Sequence, residues 1–451
     1  MRKTLILGRL FQNKNDWYKF KSYPHFDEPL RRNDAWRIVR NFINGQSYGF
    51  YPLIQFSIKQ ARYRTKKILL GNKYIKIQDK AKSVEKYRII NYPSHKDGYI
   101  FSYYAQKLSK LYEDLISQLK ISECIVAYRK GIGSNINIAS NVFQYIDNIG
   151  SCIVLTYDIK GFFDNLNHLF LKQQIERVLN VKKLPNDYYK IYKAVTKYSA
   201  ILKEDLINEN GKLNKPVCTI KELHKFKTKI ITNTNDFGIP QGTQVSALFS
   251  NIYMLDFDRS MMEFITLRRG IYRRYADDII IIVPIKSNEQ TVLTQINSFV
   301  QSELNKCKLQ INESKSEQVI FKSGRISNNK PYLQYLGFLY TGNKILIRHG
   351  SISKYWRKLL SGIRRKRIIA NQNSEENTVY KTSLYHQYSH LGSRNFYDYV
   401  RHSDKVFCMN FQGRVGIKHQ VRKHMTIIKK EIQGIRTTKH HKSYCRDFEL
   451  K

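Results

Sequence analysis

Residues 270–284 read GIYRRYADDIIIIVP, in which an acidic pair separates a basic and aromatic run from a β-branched run. Isoleucine and valine favour extended backbone, so the stretch predicts two strands joined by a tight hairpin at Ala276 to Asp278. An acidic pair between buried strands is costly unless it meets a cation or a metal ion. The stretch therefore predicts a hairpin that presents Asp277 and Asp278 for metal binding.

A third carboxylate follows another apolar run. CIVLTYDIKGFFDNLNH, residues 152–168, begins as a strand and turns polar around Asp158, and residues 169–179 have the apolar spacing of a helix. Nucleotidyl transfer with two metal ions roughly 4 Å apart needs carboxylates from separate strands, and Mg²⁺ prefers such oxygen ligands. Together the three aspartates predict a centre with two Mg²⁺ ions, for which Mn²⁺ could substitute.

The overall charge indicates the class of partner. The chain has 451 residues, with 78 Lys and Arg against 36 Asp and Glu, a formal net charge of +42. Such an excess predicts nucleic acid along the surface. The sequence has no apolar run long enough to span a membrane, and residues 1–10 are too short an apolar patch for a signal peptide, so we expect a cytoplasmic protein without a membrane partner. Six cysteines stand singly, which predicts neither disulfides nor structural zinc.

The pattern changes along the rest of the chain. Apolar spacing from Tyr99 to Leu119 predicts an amphipathic helix, and KYRIINYP at 86–93 predicts a strand that ends at Pro93. Residues 201–236 show little periodicity and predict an inserted surface loop. Residues 350–451 contain 22 Lys and Arg against 7 Asp and Glu, a difference of +15, which predicts a helical region that binds nucleic acid.

Seven stretches, taken in order, resemble the sequence boxes of reverse transcriptases. YADD at 275–278 resembles the catalytic box, YDIKGFFDNLNH at 157–168 the box of the first catalytic aspartate, and GIPQGTQVSALFSNIYM at 238–254 the nucleotide-pocket box. KYRIINYPSHKD at 86–97 and AYRKGIGSNINIA at 127–139 are similar to the two preceding blocks. KLQINESKSEQVIF at 308–321 and YLGF at 335–338 are similar to the two following blocks.

DIKGFFDNLNH is most similar to prokaryotic reverse transcriptases of the group II intron and retron kinds. The chain lacks the valine-threonine-glycine triplet of retron enzymes, since Arg348, His349 and Gly350 stand in its place, and it lacks the paired cysteines of an intron-type nuclease. We therefore interpret it as a stand-alone enzyme of the phage-defence or abortive-infection type.

The resemblance implies an α+β fold, a right-hand polymerase with fingers, palm and an α-helical basic thumb. The predicted parts are an N-terminal extension at 1–60, fingers at 60–150, a palm at 151–345 with the insertion at 201–236, and a thumb or C-terminal nucleic-acid-binding region at 346–451.

The resemblance also implies roles for particular residues. The catalytic and metal-binding residues would be Asp158, Asp277 and Asp278. The nucleotide-binding residues would be Lys86 and Arg88 on the triphosphate, Phe163 as steric gate with Phe162 as the alternative, Gln241 and Gly242 beside the nucleotide, and Lys315 as proton donor to pyrophosphate. The primer grip would be Tyr335, Leu336 and Gly337, for which a plain β-turn is the alternative. The thumb residues on nucleic acid would be Trp356, Arg357, Lys358, Arg364 and Arg365, for which solvated surface charges are the alternative.

The implied function is RNA-directed DNA polymerase, with partners that comprise an RNA template, a DNA primer or product, and deoxynucleoside triphosphates. A dedicated noncoding RNA and a role in antiviral defence belong to the same interpretation. Two alternatives stay open at this point. One is a maturase-like RNA-binding protein, and the other is a polymerase that is template-independent or primed by its own side chain.

Overall fold

The computed structural model describes residues 17–70, 73–208, 210–218, 222–285, 289–372, 378–432 and 436–438. For residues 60–70, 73–86, 371, 378–380 and 436–438 it describes the backbone alone. The predicted N-terminal apolar patch and Cys445 lie outside the described residues. No described helix is both long enough and apolar enough to cross a membrane.

Helices and strands are interspersed along the chain. The helices are α1 (Arg32–Ile43), α2 (His95–Gln118), α3 (Asn135–Ile149), α4 (His168–Leu179), α5 (Asn186–Thr196), α6 (Ser246–Tyr253), α7 (Leu255–Thr266), α8 (Glu289–Lys306), α9 (His349–Gln372), α10 (Lys381–Tyr388), α11 (Phe396–Asn410) and α12 (His424–Glu431). The strands are β1 (Leu53–Leu70), β2 (Lys73–Tyr92), β3 (Cys152–Asp158), β4 (Ser199–Leu202), β5 (Ile231–Thr232), β6 (Ile271–Tyr275), β7 (Asp278–Pro284), β8 (Glu317–Lys322), β9 (Arg325–Ile326), β10 (Leu333–Tyr335), β11 (Phe338–Tyr340), β12 (Ile345–Ile347), β13 (Thr378–Tyr380) and β14 (Arg436–Thr438).

A five-stranded antiparallel sheet forms the centre of the molecule, in the order β6-β7-β3-β8-β9. Strand β3 lies in the middle, and its register with β7 runs from the Cys152–Pro284 pair to the Asp158–Asp278 pair. The hairpin predicted from GIYRRYADDIIIIVP is confirmed, with Ala276 and Asp277 as its two-residue turn. Sheets and helices together confirm the α+β class.

Both faces of this sheet are covered, because successive side chains of a strand point to opposite sides. On one face Ile153, Leu155 and Ile281 join a core that includes residues of α2, α6, α7 and α8. On the other face Val154 and Ile282 join a core built from α3, the β10-β11-β12 sheet and α11. The carboxylates at the strand ends are thus held by a sheet that is packed on both sides.

A second sheet has the order β2-β1-β4-β5. Strand β2 ends at Tyr92, as the Pro93 signal predicted. The prediction of a surface loop at 201–236 was wrong in part, because β4 pairs in parallel with Leu53–Gln55 of β1 and Ile201 is buried beside Ile54. A strand of four residues is too short to show a period, so the sequence carried no signal for it.

Helix α2 begins at His95, four residues before the predicted start at Tyr99. Ser94 caps it, because its hydroxyl accepts from the Asp97 backbone N–H at 3.1 Å. Asp27, from the N-terminal part of the chain, accepts from the backbone N–H groups of His95 and Lys96 at 2.9 Å each. The N-terminal segment therefore packs on the start of α2.

The predicted domain boundaries do not all fall between elements. The boundary at residue 60 lies inside β1 and the boundary at residue 345 lies inside β12, whereas the boundary at residue 150 separates α3 from β3. The C-terminal helix α11 also shares its core with the central sheet. The four-part division stays a prediction.

Candidate active site

The three predicted catalytic aspartates meet at one edge of the central sheet. Asp158 is the last residue of β3 and lies directly across from Asp278, the first residue of β7. Asp277 occupies the adjoining turn, and its carbonyl accepts from the Ile159 backbone N–H at 3.1 Å. Antiparallel pairing thus places carboxylates from two separate chain segments side by side.

The turn that carries Asp277 has an unusual backbone. Ala276 has φ of 57°, and its side chain is buried. A positive φ at the first residue of a two-residue hairpin turn is usually supplied by glycine. Holding a residue with a Cβ in this region costs on the order of 1 kcal/mol or more, and such strain is common at functional sites.

Asp158 has two neighbours from the loop before β8. The Lys315 Nζ lies 2.5 Å from Asp158 Oδ2, and the Asn312 side-chain amide donates to the same oxygen at 3.0 Å. The Asn312 backbone N–H also donates to the Asp158 carbonyl at 2.7 Å. The sequence indicated Lys315 but not Asn312, whose contact joins residues 154 positions apart. Lys315 thus balances the charge of Asp158 in this arrangement.

The electrostatics of the sheet edge fit a bound cation. Burial, followed by the charges of Asp277 and Asp158, raises the pKa of Asp278 to about 6. Part of the Asp278 side chain still reaches solvent, but the surrounding protein desolvates its carboxyl. Burial and the Asp158 charge also raise the pKa of Asp277. The single positive charge of Lys315 offsets only part of the three negative charges, and a metal ion would relieve the remaining repulsion among the carboxylates.

The donors do not form a closed cage. Within the described part of the chain, no three His, Cys, Asp or Glu side chains converge closely enough to hold a metal ion as they stand. Mg²⁺ is commonly held by one or two carboxylates together with substrate phosphates and water. An open set of carboxylate oxygens at a sheet edge fits that kind of binding.

The structure brings some of the predicted nucleotide-binding residues to this edge. The pKa of Asp277 is raised overall, and the positive charge of Arg88, on β2, offsets part of that rise. Lys86 lies two residues away on the same face of β2, and its side chain lies outside the described residues. Phe162 and Phe163 are both buried, with ring centres 5.5 Å apart in an edge-to-face arrangement.

Gln241 and Gly242 form a close junction with β2. The Gln241 carbonyl accepts from the Asn91 backbone N–H at 2.7 Å. Gly242 has φ of 122°, and a Cβ there would lie 2.3 Å from the Asn91 carbonyl oxygen. Glycine is therefore required here by the approach of β2, whereas the sequence suggested only an approach to the nucleotide.

The predicted primer grip is a β-hairpin turn between β10 and β11. Leu336 and Gly337 have φ of 43° and 94°, as in the turns that suit two-residue hairpins. The hydroxyl of Tyr335 is buried and makes no hydrogen bond within the described residues. The Asp278 charge acts on Tyr335, whose pKa is raised first by burial and then by that charge. This hairpin therefore adjoins the aspartates.

Two further residues at the site were not indicated by the sequence. Arg348 donates its backbone N–H to the Gly337 carbonyl at 2.9 Å, and its charge offsets part of the rise in the pKa of Asp278. Tyr128 is 54% exposed with φ of 60°. A bulky residue with positive φ is uncommon, and it turns this ring toward the catalytic hairpin, 6.4 Å from the Tyr275 ring.

The predicted thumb residues separate into two groups on α9. Arg357, Lys358, Arg364 and Arg365 are exposed, and their spacing places them along one side of the helix. Trp356 is instead half-buried, and its ring centre lies 5.0 Å from that of Tyr355. The structure thus offers the four cations to a polyanion and uses the tryptophan largely for packing.

Comparison with models of protein families gives a match. The family model described as reverse transcriptase (RNA-dependent DNA polymerase) matches residues 77–340, more than half of the chain. No curated protein sequence matches the chain. The type of reverse transcriptase predicted above, prokaryotic and devoted to phage defence, receives no support from these comparisons.

The chain is also similar to solved structures of telomerase. One is apo telomerase from Candida tropicalis truncated from its C-terminal domain, with 14% identity, a TM-score of 0.42, and coverage of 73% of this chain and 63% of that chain. Another is telomerase from Candida albicans in complex with a TWJ fragment of telomeric RNA, with 12% identity, a TM-score of 0.44, and coverage of 92% and 69%. The chain therefore spans less than two thirds of the first of these structures.

The family match includes residues 77–92 of β2, both carboxylate-bearing strands, the Gln241–Gly242 junction and the β10-β11 turn. The three aspartates of the sheet edge all lie within it, whereas Arg348 follows its end. The chain therefore belongs to the reverse transcriptase family, the RNA-dependent DNA polymerases.

Proposed function

We propose that the chain is an RNA-directed DNA polymerase that adds deoxynucleotides to a primer by two-metal-ion nucleotidyl transfer. The observation that carries the proposal is the pairing of Asp158 with Asp278 across β3 and β7, with Asp277 in the adjoining turn. The family match over residues 77–340 supports the same activity.

Asp158, Asp277 and Asp278 would hold the metal ions, which are Mg²⁺ in this proposal. When bound, such ions lower the pKa of the attacking hydroxyl and stabilise the charge that develops on the leaving group. The protein supplies carboxylate oxygens on a rigid sheet, which suits a hard cation better than nitrogen or sulfur ligands would. A cation at Asp158 would compete with Lys315 for the Oδ2 oxygen.

The cations around the carboxylates would bind the nucleotide. The charges of Arg88 and Arg348 offset part of the rise in the pKa of Asp277 and Asp278, and the same charges would attract a triphosphate at the metal ions. Fixed positive groups that face developing phosphate charge are the main protein contribution to phosphoryl transfer. Lys315, once released from Asp158, would be free to protonate pyrophosphate.

Primer extension on a defined RNA template tests the proposal. We expect the wild type with Mg²⁺ to extend a DNA primer, and Asp277→Asn to lose at least roughly 1000-fold in rate, about 4 kcal/mol of transition-state stabilisation. Asp34→Asn is the matched control, because Asp34 is half-exposed on α1 and, among the described residues, forms an ion pair with Arg37 of the same helix. Equal extension by wild type and Asp277→Asn would refute a role for the sheet edge.

The exposed cations of α9 support a nucleic-acid partner along the C-terminal region, and we propose an RNA template that includes a dedicated noncoding RNA. Phosphate contacts would dominate its affinity. Crosslinking the chain in cells and sequencing the bound RNA would test this, and recovery of many unrelated RNAs without enrichment of one would speak against a dedicated partner.

The biological role proposed from the DIKGFFDNLNH resemblance is antiviral defence in the cytoplasm of a prokaryote. Its support is the sequence resemblance alone. The test is phage plating on bacteria that express the chain or its Asp277→Asn variant. Defence that needs the wild-type carboxylate would support the role, and equal plaque numbers on both strains and on an empty-vector strain would remove it.

A further inference from the structure

Among the described residues, the largest side chain that is completely buried is that of Arg274, on β6. Its guanidinium donates from Nε to Asp258 Oδ1 at 2.7 Å and from Nη2 to Asp258 Oδ2 at 2.6 Å. Asp258 lies on α7 and is also completely buried. The two side chains therefore form a bidentate ion pair that is shielded from water and joins β6 to α7.

The third nitrogen of the guanidinium faces the catalytic turn. Arg274 Nη1 donates to the Ala276 carbonyl at 3.2 Å and to the side-chain oxygen of Asn251 at 3.2 Å. Asn251, on α6, in turn donates to the Ala127 carbonyl at 2.9 Å. One side chain thus connects the turn with α6, α7 and the segment around Ala127.

The ion pair stays charged. Burial alone would lower the pKa of Arg274, but the Asp258 carboxylate outweighs burial and raises it. The Tyr272 hydroxyl gives Asp258 a further donor at 2.6 Å. All three guanidinium nitrogens and both carboxylate oxygens therefore have partners, as a buried pair requires.

Stability alone does not explain an arginine at this position, because apolar residues of similar volume often stabilise a core as well as a buried ion pair does. An apolar residue could not hold the Ala276 carbonyl, which belongs to the peptide group that leads into Asp277. That peptide follows a residue with φ of 57°, a conformation that persists only where its surroundings enforce it.

We propose that Arg274, held by Asp258 and Asn251, is a positioning residue that fixes the Ala276 carbonyl and thereby sets where Asp277 presents its carboxylate. The inference rests on the proposed function, since Asp277 is taken as a metal ligand. Partners that orient metal ligands typically change metal affinity or activity by roughly 10- to 100-fold when they are removed.

Two variants separate positioning from folding. Arg274→Lys keeps the charge but has no planar fork, so it cannot hold Asp258, Asn251 and the turn together. The triple variant Arg274→Met, Asp258→Leu, Tyr272→Phe removes the ion pair and the hydroxyl that depended on it, and keeps the core apolar. The control is Arg273→Met on the same strand, because within the described part of the chain that arginine donates to the exposed Glu123 at 3.4 Å and to its neighbouring Tyr272 carbonyl at 2.9 Å, and not to Asp258 or the turn.

Each variant is assayed for its thermal midpoint, for Mn²⁺ affinity by calorimetry, and for primer extension. We expect Arg274→Lys and the folded triple variant to bind Mn²⁺ roughly tenfold more weakly or worse, and to extend primers roughly 10- to 100-fold more slowly, while Arg273→Met behaves as wild type. Wild-type Mn²⁺ affinity and extension rate in the folded triple variant would overturn the inference.

If the triple variant does not fold, the Mn²⁺ affinity of Arg274→Lys decides in the same way. Suppose that the wild type makes no DNA while Arg274→Lys still binds Mn²⁺ more weakly than the wild type does. That pair of results would defeat the proposed function and leave the positioning role intact. The two failures are therefore distinguishable.

Discussion

At the residue scale, the raised pKa of Asp278 makes metal binding depend on pH. Its carboxyl has a pKa of about 6 instead of the ordinary 3.8, so it takes up a proton as the pH falls through 6. A protonated carboxyl must release that proton before it can bind a metal ion. Metal affinity should therefore be highest above pH 6 and should fall below it, by about tenfold per pH unit for each proton displaced.

The measurement is the Mn²⁺ concentration at half-saturation, by calorimetry, between pH 5 and 8. Asp278→Asn is the informative comparison, because its weaker binding should change less steeply near pH 6 than wild-type binding does. Parallel pH profiles for both proteins would show that another group controls the binding.

Gly242 offers a second test at this scale. A Cβ at this position would approach the Asn91 carbonyl oxygen to 2.3 Å, and φ is 122°. Gly242→Ala should therefore cost roughly 2 kcal/mol or more in the free energy of unfolding, measured by urea denaturation. Gly49→Ala is the control, since no heavy atom lies within 4 Å of its added Cβ. Similar unfolding free energies for both variants would mean that the backbone at the junction with β2 shifts at little cost to accept the added Cβ.

At the element scale, the exposed cations of α9 form the surface expected to bind phosphates. Neutralising Arg357, Lys358, Arg364 and Arg365 to Gln should weaken RNA binding and reduce the slope of log K against log salt by about 0.7 to 0.9 for each lost contact. The measurement is fluorescence anisotropy with a labelled RNA duplex over a series of salt concentrations.

The matched control removes four cations outside α9, each of which already pairs with a carboxylate of its own helix. These are Lys172, Arg259, Lys306 and Arg401, changed together to Gln. An equal loss of affinity in both quadruple variants would show that total charge matters and that α9 has no special part.

The sequence predicted the elements whose signals are local. The catalytic hairpin, the end of β2 at Tyr92 and most of α2 follow from apolar spacing and from Pro93. Strand β4 was missed because it depends on parallel pairing with β1, far away in the chain. Short strands of this kind are stabilised by their partners and not by their own residues.

The same limit applies to the site. The aspartates could be predicted because Asp158 directly follows an apolar run and Asp277 and Asp278 directly precede one. A carboxylate beside a buried strand stands out from the apolar pattern. Arg274 reads as one basic residue among many, and only its burial against Asp258, 16 positions away, reveals its partner. Arg348 directly precedes α9, and only the folded chain brings it to the β10-β11 turn.

At the scale of the whole molecule, a net charge of +42 must be balanced by a polyanion or by its counterions. The three carboxylates at the edge of the central sheet are an exception in this basic chain, and they lie on a sheet that is packed on both faces. A protein that only bound RNA would gain nothing physically from three adjacent carboxylates that repel each other and nucleic acid. The whole charge distribution therefore favours a polymerase over a binding protein.

The most direct test of this account starts from the chain purified with the RNA that it carries. Mg²⁺ and labelled deoxynucleotides are added to the wild type and to Asp277→Asn, and any product is sequenced. The account predicts labelled, DNase-sensitive product from the wild type alone, complementary to RNA present in the preparation. Product formed equally by both proteins, product unrelated to that RNA, or no product from the wild type would contradict it.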